Sequence, residues 1–112
     1  MNYSLNKLSL VLVFSLLSSF YFSQTIKTSF FVNGKCDMCK DRIEKALDVK
    51  GINFANWDEE TKICKVTFNS KHITEDKIQQ ILAEAGHDTP LYKATDKAYN
   101  SLHRCCHYNR EE

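Results

Sequence analysis

Apolar and polar residues alternate along three short stretches of the chain, which is the spacing expected of half-buried β-strands. The stretches are residues 25–32, 52–57 and 63–68. Polar residues at 58–61 separate the second stretch from the third and predict a hairpin turn. A shorter strand is predicted over residues 89–93, at a sheet edge, because Pro90 near its start cannot donate a backbone hydrogen bond.

Two further stretches have the spacing of amphipathic helices. One begins at Asp37 and stops at Gly51, and the other begins at the N-cap Thr74 and ends at Gly86. Their apolar stripes are Cys39, Ile43, Ala46 and Leu47 in the first, and Ile78, Ile81, Leu82 and Ala85 in the second. The order β-α-β-β-α-β predicts an α+β fold, the ferredoxin-like sandwich, followed by a short helical tail over residues 94–112.

The first 23 residues have the pattern of a signal peptide. A positive charge at Lys7 precedes an apolar run over residues 8–22, and Ser23 offers a small residue for cleavage. The run is too short, and too soon followed by polar residues, to favour a stable membrane span. We therefore expect an exported mature chain beginning at Gln24, with an uncleaved membrane anchor as the alternative.

Charge and cysteine content narrow the range of functions. The formal net charge is +1, and the predicted signal peptide holds one lysine and no acid, so the mature chain is neutral. Nucleic-acid binding, which usually needs a clustered basic face, is not expected. All five cysteines lie in the mature part, and an odd number in an exported protein leaves at least one thiol unpaired or intermolecular.

Cys36 and Cys39 stand at the start of the first predicted helix. Their spacing directs both sulfurs to one point, and the free N–H groups of a helix start favour the thiolate form. Two thiolates without a carboxylate or histidine between them suit Cu(I), with Zn(II) and Hg(II) as competitors. A structural disulfide and a redox-active pair of the thioredoxin-like type are the two alternatives at this point.

The pair and its surroundings resemble the heavy-metal-associated domain of copper chaperones, copper-ATPase N-terminal domains and the periplasmic mercury-binding protein. The resemblance rests on Cys36-x-x-Cys39, the run Ile43 to Leu47, Gly51-Ile52, Ile78, Ile81 and Gly86, and covers about residues 25–93. It implies a bacterial periplasmic carrier or buffer of a soft metal ion, and not an enzyme. Its partner would be a metal-transporting or metal-accepting protein, which receives the ion by thiolate exchange. A disulfide-stapled binding module and a thiol oxidoreductase are the rival functions.

Two positions depart from the pattern of that family. Gly34 stands where the family usually has a methionine that packs under the metal loop, so support is expected from elsewhere, with Met38 as the candidate. His87 follows Gly86 where the family commonly has tyrosine, phenylalanine or lysine. Its imidazole is a candidate third ligand, or a counter-charge when protonated.

The remaining cysteines differ in their expected roles. Cys64 shares a strand face with core residues and is expected to be an inert core thiol. Cys105 and Cys106 are adjacent, which makes a disulfide between them strained, and they lie between two histidines. A short tail helix is long enough to bring them back to the Cys36 loop. There they would add a thiolate to the ion or form a blocking disulfide; disulfides elsewhere and a partner-binding site are the alternatives.

Overall fold

The computed structural model of the chain describes residues 24–110. The predicted signal peptide, residues 1–23, lies outside the described part. The elements are β1 (Thr25–Phe31), α1 (Asp37–Ala46), β2 (Ile52–Trp57), β3 (Ile63–Asn69), α2 (Glu75–Glu84), α3 (Asp96–Asn100) and a 3-10 helix (Arg104–Cys106). Between residues 24 and 110 no helix has the length and apolar character needed to cross a bilayer.

The three strands form one antiparallel sheet in the order β1-β3-β2. Alternation along the central strand β3 buries Cys64, Val66 and Phe68 on one face, as predicted. The register places Phe30 of β1 and Trp57 of β2 on either side of Cys64. This row of three buried side chains crosses the sheet where β1 leads into the loop that carries Cys36.

Both predicted amphipathic helices are confirmed, and their apolar stripes enter the same hydrophobic core as the sheet. In α1 the buried side chains are Cys39 and Ile43. In α2 they include Ile78 and Leu82, and the Thr74 hydroxyl caps the helix by accepting the Lys77 N–H at 3.1 Å. The helices therefore pack as predicted for an α+β ferredoxin-like domain.

The strand predicted over residues 89–93 is wrong. That segment forms a local turn, in which the Thr89 N–H donates to the Tyr92 carbonyl at 2.8 Å. The Leu91 N–H donates to the buried side chain of Gln79 at 3.0 Å instead of to a neighbouring strand. Because Pro90 has no N–H and its neighbours bond locally, β1 remains an edge strand of the sheet.

The tail folds back onto the domain. Thr95 caps the short helix α3, and the 3-10 helix follows after a bend. Leu102, Cys106 and Tyr108 are each no more than 4% exposed and belong to the same core as the sheet and helices. The tail is therefore an integral part of the folded domain.

Candidate metal centre

The Cys36-x-x-Cys39 motif occupies the turn that joins β1 to α1. Cys36 is the N-cap residue of α1 with an extended backbone, and Cys39 lies in its first turn. Their sulfur atoms are 3.8 Å apart. Cys36 is half-buried, whereas Cys39 is fully buried and accepts the Lys35 N–H at 3.3 Å. The helix start thus directs both thiols to one point, as its spacing predicts.

The tail brings two more thiols to this point. The Sγ atom of Cys36 lies 2.7 Å from that of Cys105 and 3.7 Å from that of Cys106. The sulfur atoms of Cys36, Cys39 and Cys106 all lie within 4.8 Å of one another. All five cysteines are free thiols. The expected return of the tail to the loop is confirmed, and it assembles a cluster of four sulfurs.

The thiols of this cluster differ in how readily they ionise. Burial raises the pKa of Cys36, but hydrogen bonds with the Cys105 and Cys106 thiols and with the backbone at Cys39 and Met38 together outweigh burial and leave this pKa below its ordinary value. The pKa of Cys105 is raised by the contact with Cys36 and by burial. Burial and the neighbouring thiols also raise the pKa of Cys106. Cys36 therefore ionises more readily than Cys105 and Cys106, and a cation must displace the protons of those two thiols to bind them.

The loop between β1 and α1, residues 32–36, is called the metal loop. It is supported by Trp57 and not by Met38. Met38 is 48% exposed, so its expected role under the loop is wrong. The Trp57 indole is fully buried against Gly34, where an added Cβ atom would lie 2.9 Å from the ring. The Trp57 Nε1–H donates to the Val32 carbonyl at 2.9 Å. The indole fills the space under the loop and leaves no room for a side chain at position 34. This explains the glycine found there.

Lys62 adds a second support from the β2–β3 turn. Its backbone has φ 62°, in the left-handed region, and its carbonyl accepts the Val32 N–H at 2.9 Å. Its ammonium group donates to the Gly34 carbonyl at 2.6 Å and lies 5.8 Å from the centre of the Trp57 ring. The loop backbone is therefore held from one side by a charged group and an aromatic ring.

His87 is fully buried where α2 ends. Its Nδ1 lies 2.9 Å from the Asn33 carbonyl and therefore carries the proton, while its Nε2 has no hydrogen-bond partner. Burial lowers the pKa of His87, which disfavours a protonated counter-charge near neutral pH. The imidazole is not part of the group of sulfurs that meet within 4.8 Å. A role as a third ligand stays a prediction.

The two tail histidines have structural contacts. His103 begins the 3-10 helix, and its Nδ1 accepts the Cys105 N–H at 3.4 Å. The His107 ring stacks on Tyr99 with 5.0 Å between ring centres. Neither imidazole joins the three-sulfur group.

Tyr108 and Arg110, near the end of the described part of the tail, anchor it to the turn that follows α2. The Tyr108 hydroxyl donates to the Gly86 carbonyl at 2.7 Å and accepts the Asp88 N–H at 3.0 Å. Arg110 makes two bonds to the Asp88 carboxylate, at 2.8 and 3.0 Å. It also donates to the Ala94 carbonyl at 2.6 Å. These contacts hold the cysteine pair against the metal loop.

Sequence reasoning placed the four clustered cysteines but missed the groups that position them. Cys64 is a core thiol, as predicted: it is fully buried, and burial raises its pKa to about 12. The positions missed are Trp57, Lys62, Tyr108 and Arg110. The chain's only tryptophan, at the end of a strand beside a glycine-containing loop, was the one available signal.

Comparisons with known proteins identify the family of this chain. The sequence profile of the heavy-metal-associated domain matches residues 29–88, more than half of the chain. The chain therefore belongs to the heavy-metal-associated domain family. No curated protein sequence matches the chain at a significant level.

Solved structures of the same fold include MerP, the N-terminal domain of a potential copper-translocating P-type ATPase and a CopZ metallochaperone. Oxidized MerP from Ralstonia metallidurans CH34 is 27% identical, with a TM-score of 0.55 over 58% of this chain and 93% of MerP. The N-terminal domain of a potential copper-translocating P-type ATPase from Bacillus subtilis, solved in the Cu(I)-loaded state, is 26% identical. Its TM-score is 0.57 over 64% of this chain and 92% of that domain. A CopZ metallochaperone is 21% identical, with a TM-score of 0.55 over 57% of this chain and 98% of CopZ. At this identity the similarity supports the fold alone.

Proposed function

We propose that this protein binds a soft metal ion through Cys36 and Cys39 and carries or buffers it outside the cytoplasm. Cu(I) is the first candidate for the ion, and Hg(II) and Zn(II) are the alternatives. The proposed compartment is the bacterial periplasm, reached through the signal peptide predicted over residues 1–23. The proposed partner is a metal-transporting or metal-accepting protein, and no catalysis is required of the chain.

The observation that carries this proposal is the thiol pair at the start of α1. Its sulfurs are 3.8 Å apart, and one of them, on Cys36, is half-buried and has a lowered pKa. Thiolates are the ligands that soft ions prefer, and the pair itself offers no oxygen ligand to a hard cation. Membership of the heavy-metal-associated family supports the same assignment.

Release of the ion is proposed to proceed by thiolate exchange. An incoming cysteine of the partner forms a bond to the ion, and one of the two cysteines of this chain then leaves. The half-buried Cys36 is the first contact for the partner, because Cys39 is fully buried. The exchange needs no change in the oxidation state of the ion or of the thiols, and it needs no general acid or base.

An anaerobic Cu(I) titration of the reduced chain, residues 24–112, against a competing chromophoric chelator tests the proposal. We expect one tightly bound ion per chain in the parent and loss of tight binding when Cys36 and Cys39 are both replaced by serine. Cys64→Ala is the matched control, because it removes a buried thiol outside the cluster and should leave affinity unchanged. Equal competition by the parent and the double variant would refute the assignment.

A further inference from the structure

We infer that Cys106 is a resident third ligand of the metal site, so that the ion is held by Cys36, Cys39 and Cys106 in a closed, three-coordinate geometry. This inference rests on the proposed function, because it assigns a further ligand to the same site. The three sulfurs are those that lie within 4.8 Å of one another. The third of them comes from the tail, beyond the region that the family profile matches.

The separations of the sulfurs fit one ion with three ligands. A metal–thiolate bond of about 2.3 Å places two sulfurs about 3.8–4.0 Å apart in a trigonal or tetrahedral site, and about 4.6 Å apart when two ligands face each other in line. The measured separations are 3.8 Å from Cys36 to Cys39 and 3.7 Å from Cys36 to Cys106. The loop is therefore preset for a site with more than two ligands.

Cys105 is excluded as the third ligand in this arrangement. Its sulfur lies 2.7 Å from that of Cys36, which is too close for two ligands of the same ion at such bond lengths. It is also outside the group of three sulfurs and half-buried, whereas Cys106 is 1% exposed. The adjacent cysteines therefore have different roles, and Cys106 is the one directed into the site.

The contacts that anchor the tail make Cys106 a built-in ligand. Gly86 packs so closely against α3 and its end that an added Cβ atom would lie 2.9 Å from both the Ala98 carbonyl and the Leu102 side chain. Tyr108, two residues after Cys106, bonds to the backbone on either side of His87. The third thiol is thus held in place before any ion arrives, which lowers the entropic cost of binding.

A resident third thiolate changes how the ion leaves. In the simple exchange described above, the partner's cysteine adds to a two-coordinate ion. Here Cys106 already occupies the position that this cysteine would take, so it must be displaced as the partner's thiolate bonds to the ion. Displacement moves one metal–sulfur bond from Cys106 to the partner, and the freed thiolate takes up a proton. The site therefore favours retention of the ion over its rapid transfer to the partner.

The test is X-ray absorption spectroscopy of the Cu(I) complex of the reduced chain, combined with chelator competition. We expect three sulfur neighbours in the parent, two in Cys106→Ser, and three in the matched control Cys105→Ser. The affinity of Cys106→Ser should fall on the order of 100-fold, because a tethered ligand acts at a high effective concentration. Handover to a thiol chelator should become faster in the same variant.

The possible failures are distinguishable. Two sulfur neighbours in the parent would overturn the third ligand while leaving the Cys36–Cys39 site intact, whatever happens to the folding of the variant. Loss of a sulfur neighbour in Cys105→Ser, or its retention in Cys106→Ser, would overturn the choice of Cys106. A parent chain that binds no Cu(I) would instead refute the proposed function itself.

Discussion

At the scale of single residues, the metal loop depends on the pairing of Gly34 with Trp57. The indole is fully buried beneath the loop and is fixed by its bond to the Val32 carbonyl. A Cβ atom on residue 34 would lie 2.9 Å from the ring and 3.2 Å from the Cβ atom of Cys39. The small residue thus lets an aromatic side chain come directly under the cysteine pair.

We predict that Gly34→Ala destabilises the domain by roughly 1–3 kcal/mol, the usual cost of inserting a methyl group into a packed site. The clash involves a buried ring and Cys39, so neither neighbour can move aside freely. Urea unfolding measures the effect, with the exposed neighbour Lys35→Ala as the control. Equal unfolding midpoints for the two variants would show that the loop is less tightly packed than the contacts indicate.

At the scale of elements, the tail is tied to the turn that follows α2. Arg110 bonds to Asp88 in that turn, to the Ala94 carbonyl and to Asp96 at the start of α3. Its guanidinium group also lies 4.8 Å from the centre of the Tyr99 ring. One side chain therefore links the tail to the turn that follows α2. The same turn replaces the strand predicted over residues 89–93.

We predict that Arg110→Gln loosens the tail and lowers the free energy of unfolding by roughly 1.5–3 kcal/mol, the range for hydrogen bonds to charged groups. Asp88 would lose its bidentate partner in a position where its side chain is only 16% exposed. Arg104→Gln, an exposed arginine of the same tail, is the matched control. Chemical unfolding gives the stability. If Cys106 is a ligand, copper handover should also be faster in Arg110→Gln alone.

At the scale of the whole molecule, one core joins the sheet, the two main helices and the tail. Leu102, Cys106 and Tyr108 pack in the same cluster as Trp57 and Ile43. About ninety residues bury a modest apolar area, so each large side chain matters to the total stability. The tail is therefore part of what keeps this small domain folded, in addition to supplying thiols.

We predict that truncation after Ala94 lowers the stability of the whole domain by about 3 kcal/mol or more, because it removes two large buried side chains worth about 1.5–3 kcal/mol each. Such a loss is a large part of the stability of a domain of this size. Urea unfolding of the metal-free, reduced protein measures it. A truncated chain with the parent's unfolding midpoint would mean that the tail contributes no net packing energy.

Because truncation after Ala94 destabilises the whole domain, it is a poor test of metal ligation. Loss of the tail removes Cys106 and also removes the Leu102 and Tyr108 side chains from the shared core. A fall in metal affinity would then have two causes. The single substitutions at Cys105 and Cys106 separate them, because both leave the anchoring contacts of Tyr108 and Arg110 in place.

The sequence by itself determined the order of the three observed strands and two main helices, the buried stripes, and the placement of Cys36 and Cys39 at a helix start. These features follow from local periodicity and from capping residues, which act between positions close in the chain. The strand predicted over residues 89–93 does not form, because the Leu91 N–H donates to the side chain of Gln79 and not to a neighbouring strand. Gln79 lies ten residues before the start of that segment.

Tertiary structure alone decided how the cysteine cluster is assembled. Cys36 and Cys105 are separated by 69 positions, and their contact depends on the tail being anchored by Tyr108 and Arg110. Trp57 reaches Gly34 only because β2 and β1 flank the same central strand. Spacing along the chain shows which residues are able to meet. Packing between distant segments decides which of them do, because it depends on the shape of the whole core.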